Sequence, residues 1–238
     1  LRMQRIYDEY KARKRREALI EESVAWARNF PYLEMSRHHW LDATTVPEER
    51  AENLLSYFGL SSPKAWNDYY INQKLKVAFS LSLSATPNPY ALSAWLRQGE
   101  LQALPMPVNT PYSANKLKTG ISQIVESLVD DAEQLRNLMV SFCQQQGICL
   151  VFVSSLPKLK VLGAARWIKG VPCIQLSNSI RSAKQLCFVF LHELAHILLH
   201  GKKDIFIEFD GNHIIDGYRE KEAEADDFAS KLLSSRQQ

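Results

Sequence analysis

Between Leu186 and Leu199 the chain is a nearly unbroken apolar run, and set inside it are His192, Glu193 and His196. A helix that is apolar on every side belongs in a core. Both of its ends are signalled locally. Ser182 and Gln185 form an S-x-x-Q capping box, and Gly201 suits the position just past the end. Residues four apart lie on one helical face, about 6 Å apart along the axis, so two imidazoles can meet one ion. Glu193 is turned by about 100° from His192 and can stand beside that ion rather than bind it. There it is placed to take a proton from a metal-bound water and pass it to a leaving amine. H-E-x-x-H is a zinc-protease signature for this reason. Two imidazoles and a carboxylate buried without partners would be costly, so a third ligand is expected nearby.

His200 extends the series 192, 196, 200 but stands about 12 Å from His192 along a continuous helix, too far to share an ion held at about 2 Å. The next acidic segment, residues 220–233, has helical period, with Ala225, Phe228, Ala229 and Leu232 as its apolar stripe. Glu222 and Asp226 lie beside that stripe, whereas Glu220, Glu224, Asp227 and Lys231 lie opposite. Glu222 therefore completes a His₂Glu set with one position open for water. Asp226, one turn on, is expected to accept the free ring N–H of a ligand histidine, His192 being the expected partner. Glu224 is the fallback ligand and Asp216 a distant one. His213 and Tyr218, in the stretch between the two helices, are the candidates for stabilising an oxyanion. The donor set suits Zn²⁺, with Mn²⁺ or Fe²⁺ as alternatives.

The rest of the 238 residues falls into two parts. Residues 1–30 contain no Gly or Pro, and Met3, Ile6, Tyr7, Tyr10, Ile20, Val24 and Ala27 mark a long amphipathic helix ended by Pro31. Its first twenty residues carry seven basic and three acidic side chains, which reads as a solvated helix face before it reads as a nucleic-acid surface. Further helices are expected over 47–58, after Pro63, and over 91–98 with a stop at Gly99. Prolines 87, 89, 105, 107 and 111 cluster around a domain boundary near 103–112. Beyond it, 113–128 and 131–146 read as helices, the second opened by a capping box of Asp130 and Glu133. Ile148–Val153 reads as a strand, and 163–168 with 171–176 as a hairpin turning on Lys169-Gly170. The class is α+β, an all-helical region over 1–110 followed by a mixed domain over 111–238. No apolar run approaches the roughly 20 residues of a membrane span. Cys143, Cys149, Cys173 and Cys187 form no C-x-x-C pair and sit in apolar stretches, as reduced thiols of a cytoplasmic protein do.

His192-Glu193-Leu194-Ala195-His196, followed by Glu222-Ala223-Glu224-Ala225-Asp226-Asp227-Phe228-Ala229, resembles the ImmA/IrrE metallopeptidases, whose pattern is H-E-x-x-H and then E-x-E-A-[ND]-x-F-A. The resemblance covers roughly residues 113–234. It implies metal ligands at His192, His196 and Glu222, a catalytic glutamate at Glu193, and a small mixed sheet packed on the zinc helix. It also implies a cytoplasmic bacterial or phage-related protein whose substrates are repressors or other DNA-binding regulators. An edge strand within 163–177 would align an extended peptide by strand addition. Residues 54–60 and 94–100 are similar to the middle region of regulators that join a helix-turn-helix to such a domain, some of them HigA-like antitoxins. DNA contact is then expected only through a domain upstream of Leu1.

Two functions of different class follow. One is a zinc-dependent endopeptidase that cuts a regulatory protein, a repressor or toxin being the expected partner. The other is a non-proteolytic regulator or antitoxin-type binding module with a structural or vestigial zinc site and a homodimer or partner surface around Tyr69 and Tyr70. A zinc enzyme acting on a small molecule is a third reading.

Overall fold

The computed structural model describes residues 2–74, 88–211 and 219–235. The chain is α+β. Helices α1 (Arg2–Ala27), α2 (Tyr32–Arg37), α3 (Pro47–Phe58) and α4 (Pro63–Trp66) are followed by a π-helical stretch, Asn67–Lys74, and by α5 (Pro89–Ala103). Then come α6 (Ala114–Ser127), α7 (Ala132–Gln146), the strands β1 (Cys149–Val153), β2 (Val161–Ile168) and β3 (Val171–Ser177), helix α8 (Ala183–Leu199), strand β4 (Phe206–Phe209) and helix α9 (Arg219–Ser235). Among the described residues no helix is long and apolar enough to cross a membrane.

The strands form one mixed sheet in the order β1-β3-β2-β4, with β1 parallel to β3 and the other pairs antiparallel. The β2–β3 turn uses Lys169 and Gly170 at φ 49° and 85°, the positive angles that a tight hairpin requires at both central residues. Alternation along the strands divides the sheet into two faces. Val151, Ala164, Cys173 and Ile207 point into one core, shared with Trp26, Phe58, Trp66 and Trp95 of the front helices. Leu150, Ala165, Ile174 and Phe206 point into the other, shared with α6, α7, α8 and α9. Each fully buried Val, Leu, Ile or Phe among these contributes about 1.5–3 kcal/mol. The sheet is thus the middle layer of three.

Several sequence expectations change here. Gly99 does not stop α5, which runs on to Ala103. The glycine serves close packing: a Cβ there would fall 1.8 Å from Gln175 Oε1 on β3. The cap of α7 is Asp131, whose side chain accepts from the Gln134 N–H, one residue after the expected Asp130. Among the described residues β2 and β3 are the inner strands of the order and β1 and β4 the outer ones, with β4 covering β2 only as far as Ala165, so the expected edge strand within 163–177 is reduced to the end of β2. Tyr70 is buried whereas Tyr69 is partly exposed, so the expected aromatic surface keeps one ring of the two. Helix α1 forms, but Met3, Ile6, Tyr7 and Tyr10 stay exposed, and packing begins near Ser23 and Trp26.

Candidate metal centre

Helix α8 is capped by Ser182, whose hydroxyl accepts from the Gln185 N–H. It lies on the sheet with α9 beside it, and residues from Leu186 to Ile197 fill the interface. Its periodicity sends Val189, Phe190 and Leu194 into the core and leaves His192 and His196 toward α9. His192 is 1% exposed, His196 2% and Glu193 0%.

His192 Nε2 and His196 Nε2 face each other at 2.9 Å. Glu222 Oε2, from the first turn of α9, stands 3.1 Å from the former and 3.3 Å from the latter. These are atoms of a compact donor cluster, mutually within 4.8 Å. Ligand atoms about 2.0–2.1 Å from one tetrahedral zinc sit about 3.3 Å from each other, so the three atoms already span one face of such a tetrahedron. The donor types fit a divalent cation of borderline softness.

Each ligand-type histidine is held from behind. His192 Nδ1 is 2.9 Å from Asp226 Oδ1, one turn further along α9. With the ring N–H donated to that carboxylate, the Nε2 lone pair points at the cluster. His196 Nδ1 is 2.9 Å from His200 Nδ1, and His200 Nε2 is 3.1 Å from Glu224 Oε2. The consistent assignment has His196 donate to His200 and His200 donate to Glu224. Phe206 of β4 stacks on the His196 ring at 3.9 Å and 11°. Glu224 and His200, weighed from spacing as a ligand alternative and a rejected ligand, thus stand behind the cluster. His213, Asp216 and Tyr218 lie outside the described residues.

Glu193 is fully buried, and neither carboxyl oxygen has a hydrogen-bond partner among the described residues. Burial raises its pKa well above the usual carboxylate value; the His192 charge opposes this, while Glu208 and Glu222 add to it. An orphaned buried carboxyl is expensive, and a donor cluster able to hold a cation beside it supplies a reason for it. Room for it comes from β2: a Cβ at Gly163 would lie 2.4 Å from Glu193 Oε1. A bulge between Val161 and Gly163 sets Gly163 opposite Glu208 of β4, and bulges of this kind re-aim side chains beside sites. Glu208 Oε2 is 3.7 Å from His192 Nε2. Burial pushes Glu208 up to about 7 against the pull of His192, with Glu222 and Asp226 adding to the rise.

Sequence reasoning passed over Glu208 and Gly163. The signal available was a glycine inside a strand pattern, which marks a close approach. Strand β4 lies in the stretch between the two helices, where the sequence pattern predicts no strand.

Residues 143–237 match the model of the M78 peptidase family, described as the IrrE N-terminal-like domain. No curated protein and no solved structure matches the chain. The family is one of metallopeptidases, and the buried His₂Glu cluster is compatible with that chemistry. Helix α8, strand β4 and helix α9 all fall inside the matched segment, so the elements around His192 are the part of the chain that is similar to an ImmA/IrrE-type metallopeptidase domain.

Proposed function

We propose that the chain is a zinc-dependent endopeptidase that hydrolyses a peptide bond in a regulatory protein, a DNA-binding repressor being the substrate class that the family resemblance suggests. The observation that carries the reading is the pairing of a three-atom donor cluster with a fully buried, unpartnered carboxyl next to it. A structural zinc site is closed by four protein ligands and has no use for an adjacent base; a catalytic one keeps three ligands and an open position.

In this reading His192 Nε2, His196 Nε2 and Glu222 Oε2 hold the cation. Bound there, zinc supplies Lewis-acid polarisation of the scissile carbonyl and a lowered pKa for water. Glu193 takes the proton from the attacking water and carries it to the leaving nitrogen, a transfer suited to a carboxyl in a site with little water. Burial raises its pKa well above the ordinary carboxylate value in the metal-free chain, a direction that favours the second half of that task, donation of the proton. Asp226 fixes the tautomer of His192, and the His200–Glu224 pair does the same for His196. Gly163 leaves the space in which the Glu193 carboxyl turns.

The test is Glu193→Gln, assayed by mass spectrometry of candidate repressor and toxin proteins incubated with the zinc-loaded chain. The variant is expected to bind zinc as the wild type does and to lose cleavage by about a thousandfold or more. Cleavage that persists in the variant overturns the mechanism. Regulation left intact in the variant cell would favour the non-proteolytic binding module.

A further inference from the structure

A cavity of about 490 Å³ lies on the opposite face of the sheet from the metal centre, between the π-helical stretch, helix α5, the β2–β3 turn and the loop entering β4. That size accepts a small organic ligand. Its walls are of two kinds. Tyr69, Tyr70, Ile168 and Ile205 give it an apolar side, and Arg166, Lys169, Lys202 and Lys203 give it a cationic one. Its two carboxylates are already matched: Glu100 pairs with Arg97 at 3.0 Å and Asp204 with Lys221 at 2.6 Å.

Arg166 sits at the floor and is 8% exposed. Its guanidinium donates to the Leu96 carbonyl and, at 3.0 Å, to Gln175 Oε1, both neutral acceptors, and its buried Nε has no partner among the described residues. A buried guanidinium with no carboxylate partner among the described residues is unfavourable, and its fork of donors fits a carboxylate or phosphate. We propose that this cavity binds a small organic anion, its acidic head on Arg166 and its apolar body against Tyr70 and Ile168. The three lysines at the mouth attract the anion and close over its head. The depth of Arg166 disfavours the alternative of a nucleic-acid backbone, whose phosphates reach exposed lysines but not a cation at the bottom of a cavity. The site is separate from the peptidase reading and does not depend on it.

The experiment is isothermal titration of the full chain, at pH 8, with phenyl phosphate, inorganic phosphate and benzyl alcohol. One saturable site for phenyl phosphate is expected, about tenfold or more tighter than inorganic phosphate, with the alcohol silent. Arg166→Gln should weaken it by about tenfold or more with the circular dichroism spectrum retained. If Arg166→Gln does not fold, Lys202→Ala combined with Lys203→Ala decides, being confined to exposed positions, and should weaken binding by about threefold or more. No saturation, equal affinity for all three probes, wild-type binding in both variants, or tighter binding of a short DNA duplex through the same lysines would each overturn the proposal.

Discussion

His192 and His196 stand one helical turn apart, yet their surroundings push them in opposite directions. For His192, burial works against the cation but is outweighed by the hydrogen bond to Glu222 and the charges of Glu193, Glu208 and Glu222, and its pKa rises to about 9. For His196, burial prevails over Glu222, and its pKa falls to about 4. The metal-free pair therefore holds one proton across neutral pH, on His192. A cation must displace it. Binding of zinc at pH 7 is predicted to release protons, that of His192 among them, and affinity to climb with pH until about pH 9; calorimetry in buffers of different ionisation enthalpy reads this directly, and a heat independent of buffer contradicts it. The same proton contributes to metal-free stability. The raised pKa of His192 contributes in full below its ordinary 6.5 and fades as pH rises through about 9. Glu222 is the converse: burial raises its pKa, but the neighbouring His192 and His196 outweigh burial and hold it at about 2, so its contribution is present above the ordinary 4.5 and fades as pH falls through about 2. At this scale the sequence is readable where geometry is local. His192, Glu193 and His196 share one helix, and a single period fixes their relative directions. Glu222 follows from the apolar stripe beside it. Glu208 does not, because only the register of β4 on β2 brings it near His192.

Elements carry the next level of constraint. Helix α8 lies close to β2 because position 163 has no side chain, and the Glu193 carboxyl occupies the space. Gly163→Ala is predicted to displace that carboxyl and press on Val189, whose Cγ1 would be 3.0 Å from the new Cβ. Zinc affinity should stay within a few-fold, stability should fall by about 1–3 kcal/mol, and cleavage should drop by about tenfold or more. Thermal denaturation beside a cleavage assay measures both, and an unchanged rate would show that Glu193 does not need this space. Helix boundaries were largely legible. Pro47 at the first turn and Gly59 in the left-handed region past the end frame α3 as expected, and Ser182 frames α8. Those signals act within a few residues. Gly99 misled because a glycine in a helix has two meanings, a stop or a close approach, and only the position of Gln175 on β3 decides. The four residues of β4 carry too short an alternation to stand out, and they become a strand only by pairing with β2.

At the scale of the molecule, the candidate metal centre hangs on the angle between α8 and α9, which brings carboxylates from one chain segment against imidazoles from another. The front helices and one sheet face share a core, so the helical region buttresses the sheet from behind while α8 rests on its front. The α+β class was legible from the alternation of helical and strand periods, whereas the small mixed sheet packed on the histidine helix was implied by the resemblance to the ImmA/IrrE metallopeptidases. The strand order was not, since it depends on β1 returning beside β3 in parallel rather than on any local pattern. The central claim is that Glu222 closes the cluster begun by His192 and His196. Chelator competition on wild type and Glu222→Ala, with zinc counted by mass spectrometry, tests it most directly. The account predicts one zinc per wild-type chain and an affinity about a hundredfold or more weaker in the variant; equal affinity and equal zinc content in the two proteins would contradict it.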